Sequence, residues 1–99
     1  MDDLTTTQTL VSTHRIRIGD ILKWVTVHIW QAEDGHLSVS ASHQMQTPIH
    51  TNPYIADPRY PHQQTPEGAL RTVIAGFECS YLEGKEADQT PDDSWWVSA

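Results

Sequence analysis

Apolar and polar residues largely alternate along three stretches of the first half of the chain. Residues 9–18, 21–31 and 36–46 are rich in β-branched and aromatic side chains spaced two apart, the pattern of strands buried on one face. Short turns join them, which predicts an antiparallel meander. The second turn follows from matching side chains across the hairpin. A two-residue Asp34-Gly35 loop puts Ile29 opposite Ser40. A three-residue Glu33-Asp34-Gly35 loop, with Gly35 in the left-handed conformation, puts Ile29 opposite Val39 and Val27 opposite Ala41. The three-residue loop is expected. A two-residue Gly19-Asp20 turn at the first hairpin pairs Ile18 with Ile21, Ile16 with Lys23, His14 with Val25 and Leu10 with Ile29.

One sheet face then carries Leu10, Ile16, Ile18, Ile21, Val25, Val27, Ile29, Leu37, Val39 and Ala41, the predicted core face. The other carries the rows Arg15, Trp24, Gln44; Thr13, Thr26, Ser42; Val11, His28, Ser40; and Thr9, Trp30, Ser38, with Arg17 at its end. A face lined with Trp24, Trp30, Arg15, Arg17 and His28 is neither apolar nor ordinarily polar, and it calls for a cover.

Residues 47–64 hold Pro48, Pro53, Pro58 and Pro61 among tyrosines and histidines, which favours extended or polyproline geometry over a regular element. Thr65-Pro66-Glu67 reads as an N-cap, a proline at the first helical position and a first-turn carboxylate. From there Leu70, Val73, Ile74, Phe77, Tyr81 and Leu82 recur at helical spacing, and Gly84 suits the left-handed position after the helix. The predicted fold is α+β: a three-stranded antiparallel β-meander with one C-terminal helix packed on one face and a long Pro-rich loop before the helix. Residues 1–8 form an extension, 9–86 the domain, and 87–99 an acidic aromatic tail.

Ninety-nine residues leave room for one small core, and four Trp must supply much of its burial. Six Lys plus Arg against thirteen Asp plus Glu give a net charge of -7, which opposes nonspecific binding to nucleic acid or an anionic membrane and favours a basic protein partner. The single Cys79 forms no internal disulfide, and neither a secretory leader nor a spanning segment is evident, so a cytoplasmic location is expected.

The aromatic face would stack on a partner, Arg15 opposite Trp24 forming a cation–π pair, or be covered by the loop, the N-terminus or the tail. A homodimer would also cover it. The tail sequence Asp92-Asp93-Ser94-Trp95-Trp96-Val97 has the composition of a short binding peptide, with Trp95 and Trp96 as anchors, or else packs against the body. Tyr54, Arg59, Tyr60 and His62 in the loop would line a small-ligand or nucleotide pocket. His36, His43 and His50 are spaced by seven but alternate in face, and His14 and His43 lie two strands apart, so a metal site would need His50, His62 and Asp57 from the loop. No cofactor is implied. Cys79, among Gly68, Thr72, Ala75 and Gly76 on the small face of the helix, reads as a packing residue rather than a nucleophile. No glycine-rich phosphate loop, HExxH, GxSxG or paired CxxC is present, which argues against an enzyme.

Two alternating strands joined at Glu33-Asp34-Gly35, followed after a connection by Thr65-Pro66-Glu67-Gly68-Ala69-Leu70, resemble the HicB-type antitoxin domain, a partial RNase H-like fold. The family's Pro-Gly-Cys-like segment and its DNA-binding unit have no counterpart here, and an additional strand precedes. The resemblance implies a small protein that occludes a toxin nuclease. Together with composition it gives the expected function: a noncatalytic interaction module, in its sharpest form an antitoxin-like or anti-defence-like inhibitor of a basic nucleic-acid-handling protein.

Overall fold

The computed structural model describes residues 7–54 and 65–99. Strands β1 (Gln8–Ile16), β2 (Val25–Ala32) and β3 (Leu37–Ala41) form an antiparallel sheet in the order β1-β2-β3. After a break at Ser42 come β4 (His43–Met45), helix α1 (Pro66–Glu86) and β5 (Trp96–Ser98), which pairs with β4 in a second, two-stranded sheet. The fold is α+β, a three-stranded meander with one helix packed on it, as the pattern predicts.

The β2–β3 hairpin has the predicted register, Ile29 opposite Val39 and Val27 opposite Ala41. Gly35 sits at φ 90°, the turn closes with Ala32 N donating to His36 O at 2.9 Å, and the Asp34 carboxylate accepts the His36 backbone N–H at 3.0 Å. That bond, with a second to the His36 ring, holds the Asp34 carboxyl below the usual carboxylate range.

The β1–β2 register differs from expectation by two residues. Ile16 faces Val25, His14 faces Val27 and Ser12 faces Ile29. The Gly19-Asp20 turn does form, with Ile21 N donating to Ile18 O at 3.1 Å and Gly19 at φ 53°. Residues 22–24 then take more chain than a tight hairpin needs before the ladder begins, and Leu22 is left 71% exposed. A slip of two keeps every side chain on its own face, so Ile16, Ile18, Ile21, Val25, Val27, Ile29, Leu37 and Val39 are buried as expected. Leu10 is the exception. A bulge between Leu10 and Ser12 turns it to the outer face, opposite Trp30, where it is 45% exposed.

Helix α1 begins as predicted, with Gly68 N donating to the Thr65 hydroxyl at 3.0 Å and Pro66 in the first turn. Ala69, Val73, Phe77 and Tyr81 face the core, while Leu82, expected there, is exposed. Gly84 does not end the helix. Asp88 takes the left-handed position at φ 61°, and Gln89 N and Asp88 N donate to Gly84 O and Lys85 O, a Schellman arrangement. Gly84 is buried inside the helix because Trp95 and Thr47 press against it. A Cβ there would lie 2.9 Å from the Trp95 ring and 3.0 Å from Thr47 Cβ. Gly76 likewise lies under the Tyr54 ring, which packs edge-on to Phe77 at 5.1 Å.

Residues 92–99 close the core. Trp95 and Trp96 are 2% and 4% exposed, Trp96 edge-on to Phe77 at 4.9 Å and Trp95 edge-on to Tyr81 at 6.0 Å. Gln46 N donates to Trp95 O and Ala99 N to Ser42 O, which ties the segment to β4. The buried Trp96 indole N–H has no hydrogen-bond partner among the described residues, so apolar area and ring packing hold it.

Trp96→Ala is expected to cost about 3–5 kcal/mol in urea unfolding. Gly84→Ala should also destabilise, although in an open helix that change gains about 1 kcal/mol, because the added methyl meets rigid, buried neighbours.

Candidate functional site

Alternation along β1 and its extension puts Arg15 and Arg17 on one face, and the β2 side of the hairpin brings Trp24 to them. The two guanidinium carbons lie 5.1 and 5.3 Å from the Trp24 ring centroid, and the indole is 49% exposed. Among the described residues, Arg71 pairs with Glu67 and Lys85 with Asp20, whereas Arg15, Arg17 and Lys23 have no carboxylate in ion-pair reach. An acidic chain thus presents a locally cationic aromatic cluster.

The rows beyond it are fixed by cross-strand bonds. Thr13 Oγ1 lies 3.0 Å from His28 Nδ1, the His28 and Trp30 rings are 6.0 Å apart, and Trp30 Nε1 donates to Ser40 Oγ at 2.9 Å. Gln8 Nε2 donates to Ser38 Oγ at 3.2 Å. Such bonds lower the entropy lost when side chains are ordered on binding. Leu10 and Val11 add exposed apolar surface at the far end. The helix and the 92–99 segment pack on the other side of the sheet, so no described element covers this face.

Of the residues expected to contact a partner, Arg15, Arg17, Trp24, His28 and Trp30 therefore share one surface. Trp95 and Trp96 do not belong to it: they are core, and the reading in which the tail packs against the body is the one realised. Tyr54, expected at a ligand pocket, is half-buried against Phe77 and Gly76. Asp57, Arg59, Tyr60 and His62 lie outside the described residues. Among the described residues no group of three or more His, Cys, Asp or Glu side chains is placed to hold a metal ion, and no helix is long and apolar enough to cross a membrane.

Two features were not foreseen. His50 bridges Thr47 Oγ1 and Glu83 Oε2, the latter at 3.1 Å, and Glu83 Oε1 accepts from the Cys79 thiol at 3.2 Å. The bond from His50, then that from Cys79, lowers the Glu83 carboxyl pKa. The same Glu83 contact raises the Cys79 thiol pKa, which disfavours the thiolate. Thr47 is 1% exposed, so this hydroxyl–imidazole–carboxylate line anchors the loop to α1 and offers no nucleophile to a substrate. Spacing gave no hint of it, since His50 and Glu83 are far apart in the chain. The second is a groove of about 350 Å³ between the end of β1 and α1, lined by Arg17, Ile18, Ile74, Glu78 and Leu82 and closed by Tyr81 over Gly19.

Comparison with protein families, curated proteins and solved structures finds no match to this chain.

His43 on β4 stacks edge-on to Trp96, and burial, then the Lys23 charge, lowers its pKa. The unfolded chain takes up that proton near pH 6.5 and the folded protein only at lower pH. The stability from neutral His43 is therefore complete above that value and lost as pH falls through the folded pKa. The urea midpoint should drop between neutral pH and pH about 5.5, and His43→Gln should remove part of that drop.

Proposed function

We propose that this chain is a small noncatalytic interaction protein that binds a protein partner through the outer face of its sheet, acting by occlusion or scaffolding. Trp24 carries the reading. A half-exposed indole under two guanidiniums without carboxylate partners among the described residues contributes little to folding, since exposed cation–π contacts give about 0.5–1 kcal/mol each. It has the composition of an interface anchor, where Trp and Arg are enriched.

Charge refines the partner. Net charge alone favours a basic protein, but the exposed acids Glu78, Glu86, Asp88, Asp92 and Asp93 lie on α1 and the segment after it. The aromatic face has the opposite sign and favours carboxylates. Occlusion of a basic nuclease, the form that the HicB-type resemblance implies, would use the helix side, where no exposed tryptophan supplies an anchor. An acidic partner surface on the sheet is the better-supported form.

The test is affinity capture with the full chain and with Trp24→Ala, folding being checked by near-ultraviolet dichroism. A stoichiometric protein held by the native chain and weakened at least tenfold by Trp24→Ala is expected, with release as salt rises. Equal capture by both chains, or a retained small molecule with no macromolecule, overturns the reading.

A further inference from the structure

β1 is an edge strand, and its ladder shows which of its backbone groups are left over. Ser42 N donates to Thr26 O at 2.8 Å and Ala32 N to His36 O at 2.9 Å, so Thr26, His28, Trp30 and Ala32 direct their backbone groups toward β3. Val25, Val27 and Ile29 direct theirs toward β1. Their partners Ile16, His14 and Ser12 are thereby paired, and the amides and carbonyls of Thr13 and Arg15 point out from the open edge. Among the described residues no strand lies there.

The edge does not stand alone. Helix α1 sits over β2 and β3, and its Ile74–Leu82 flank stands off from the end of β1, leaving the groove described above. Tyr81 closes one end, its hydroxyl accepting from Asp20 N at 3.1 Å. Toward the start of β1 a bulge at Val11 interrupts the ladder, which resumes at Leu10. The free backbone groups of Thr13 and Arg15 thus lie beside two guanidiniums that have no carboxylate partner among the described residues, and a groove lined by Ile18, Ile74 and Leu82, with Arg17 and Glu78, follows directly at the end of β1.

We propose that this edge takes up an extended, acidic segment of a partner protein as a fourth strand of the sheet. The proposal rests on the interaction reading and names its ligand. An added strand alternates faces with the pleat. Residues beside Arg15 and Arg17 share their face and carry carboxylates, and the residues between them turn aliphatic side chains toward Ile18, Ile74 and Leu82. Glu78 at the groove rim disfavours acids at those inward positions. Nucleic acid fits less well: phosphates would answer the arginines, but a phosphate chain cannot satisfy the outward carbonyls of Thr13 and Arg15.

The probe is a fluorescein-labelled peptide of about ten residues, a typical interface strand or longer, alternating Glu and Val and followed by anisotropy. Its companions alternate Lys and Val, or carry N-methyl groups on all Glu amides or on all Val amides. Saturable binding of the Glu–Val peptide is expected, with none for Lys–Val. One methylation pattern should abolish binding and the other spare it, because only alternate amides face β1. Arg17→Glu should weaken binding at least tenfold, and so should Thr13→Pro, which removes an outward donor without touching the β1–β2 ladder. No saturable binding up to millimolar peptide, equal binding of both methylated forms, or displacement by an oligothymidylate of equal charge overturns the proposal. Trp24-dependent capture with a peptide indifferent to methylation defeats the added strand alone; peptide binding that obeys the methylation rule, beside capture indifferent to Trp24, defeats the sheet-face reading alone.

Discussion

The packing of Trp95 and Trp96 against Phe77, Tyr81 and Gly84 is the contact on which the rest of this small domain depends. A sheet of three short strands and one helix encloses little apolar volume, and a chain of this size has few other large side chains to fill it. The need to seat these rings explains several local departures. The third predicted strand breaks at Ser42 because the chain must leave β2 to meet β5; the Ser42 hydroxyl accepts the Thr26 amide, and its backbone carbonyl accepts the amide of Ala99. The helix runs past Gly84, whose missing side chain is used for close approach rather than for a turn. Thr47 is buried on the same contact, which brings His50 within reach of Glu83.

Once the core is closed on one side of the sheet, the other side is free of that duty. Its side chains are ordered by neighbours across the strands instead of by burial: hydroxyls on His28 and Trp30, guanidiniums on Trp24. The acids gather on the helix and the chain that follows it. An overall negative protein thereby keeps a cationic face whose arginines are not neutralised by any described carboxylate, and such an arrangement persists because cation–π contacts hold guanidiniums together without an anion.

How much of this was legible in the sequence follows from the period of a strand. Alternation determines which face a residue occupies and determines register only modulo two, so the core face was readable while the β1–β2 pairing was not. The β2–β3 pairing was readable because, of the two loop lengths that end at Gly35, only one keeps the parity and sets Ile29 opposite Val39. Leu10 escaped because a bulge adds one residue and reverses the parity. Thr65-Pro66-Glu67 marked the helix start through its own hydrogen bonding, whereas Gly84 misled because two different needs, a left-handed backbone and a close contact, select the same residue. Trp95 and Trp96 carried the ambiguity of any apolar pair near a chain end: composition alone does not distinguish an anchor for another protein from a plug for its own core. The arginines and Trp24 were legible as neighbours, but the groove beside them depends on where α1 lies over the sheet, which no local pattern encodes.

The contrast between Trp24 and the pair Trp95 and Trp96 has a spectroscopic consequence. Trp95 and Trp96 lie in apolar surroundings and emit at shorter wavelength, while Trp24 stands half in solvent and within reach of dissolved quenchers. Iodide therefore reports on the sheet surface and leaves the core pair dark to it, so occupation of one and melting of the other can be followed in a single unlabelled sample by their colour.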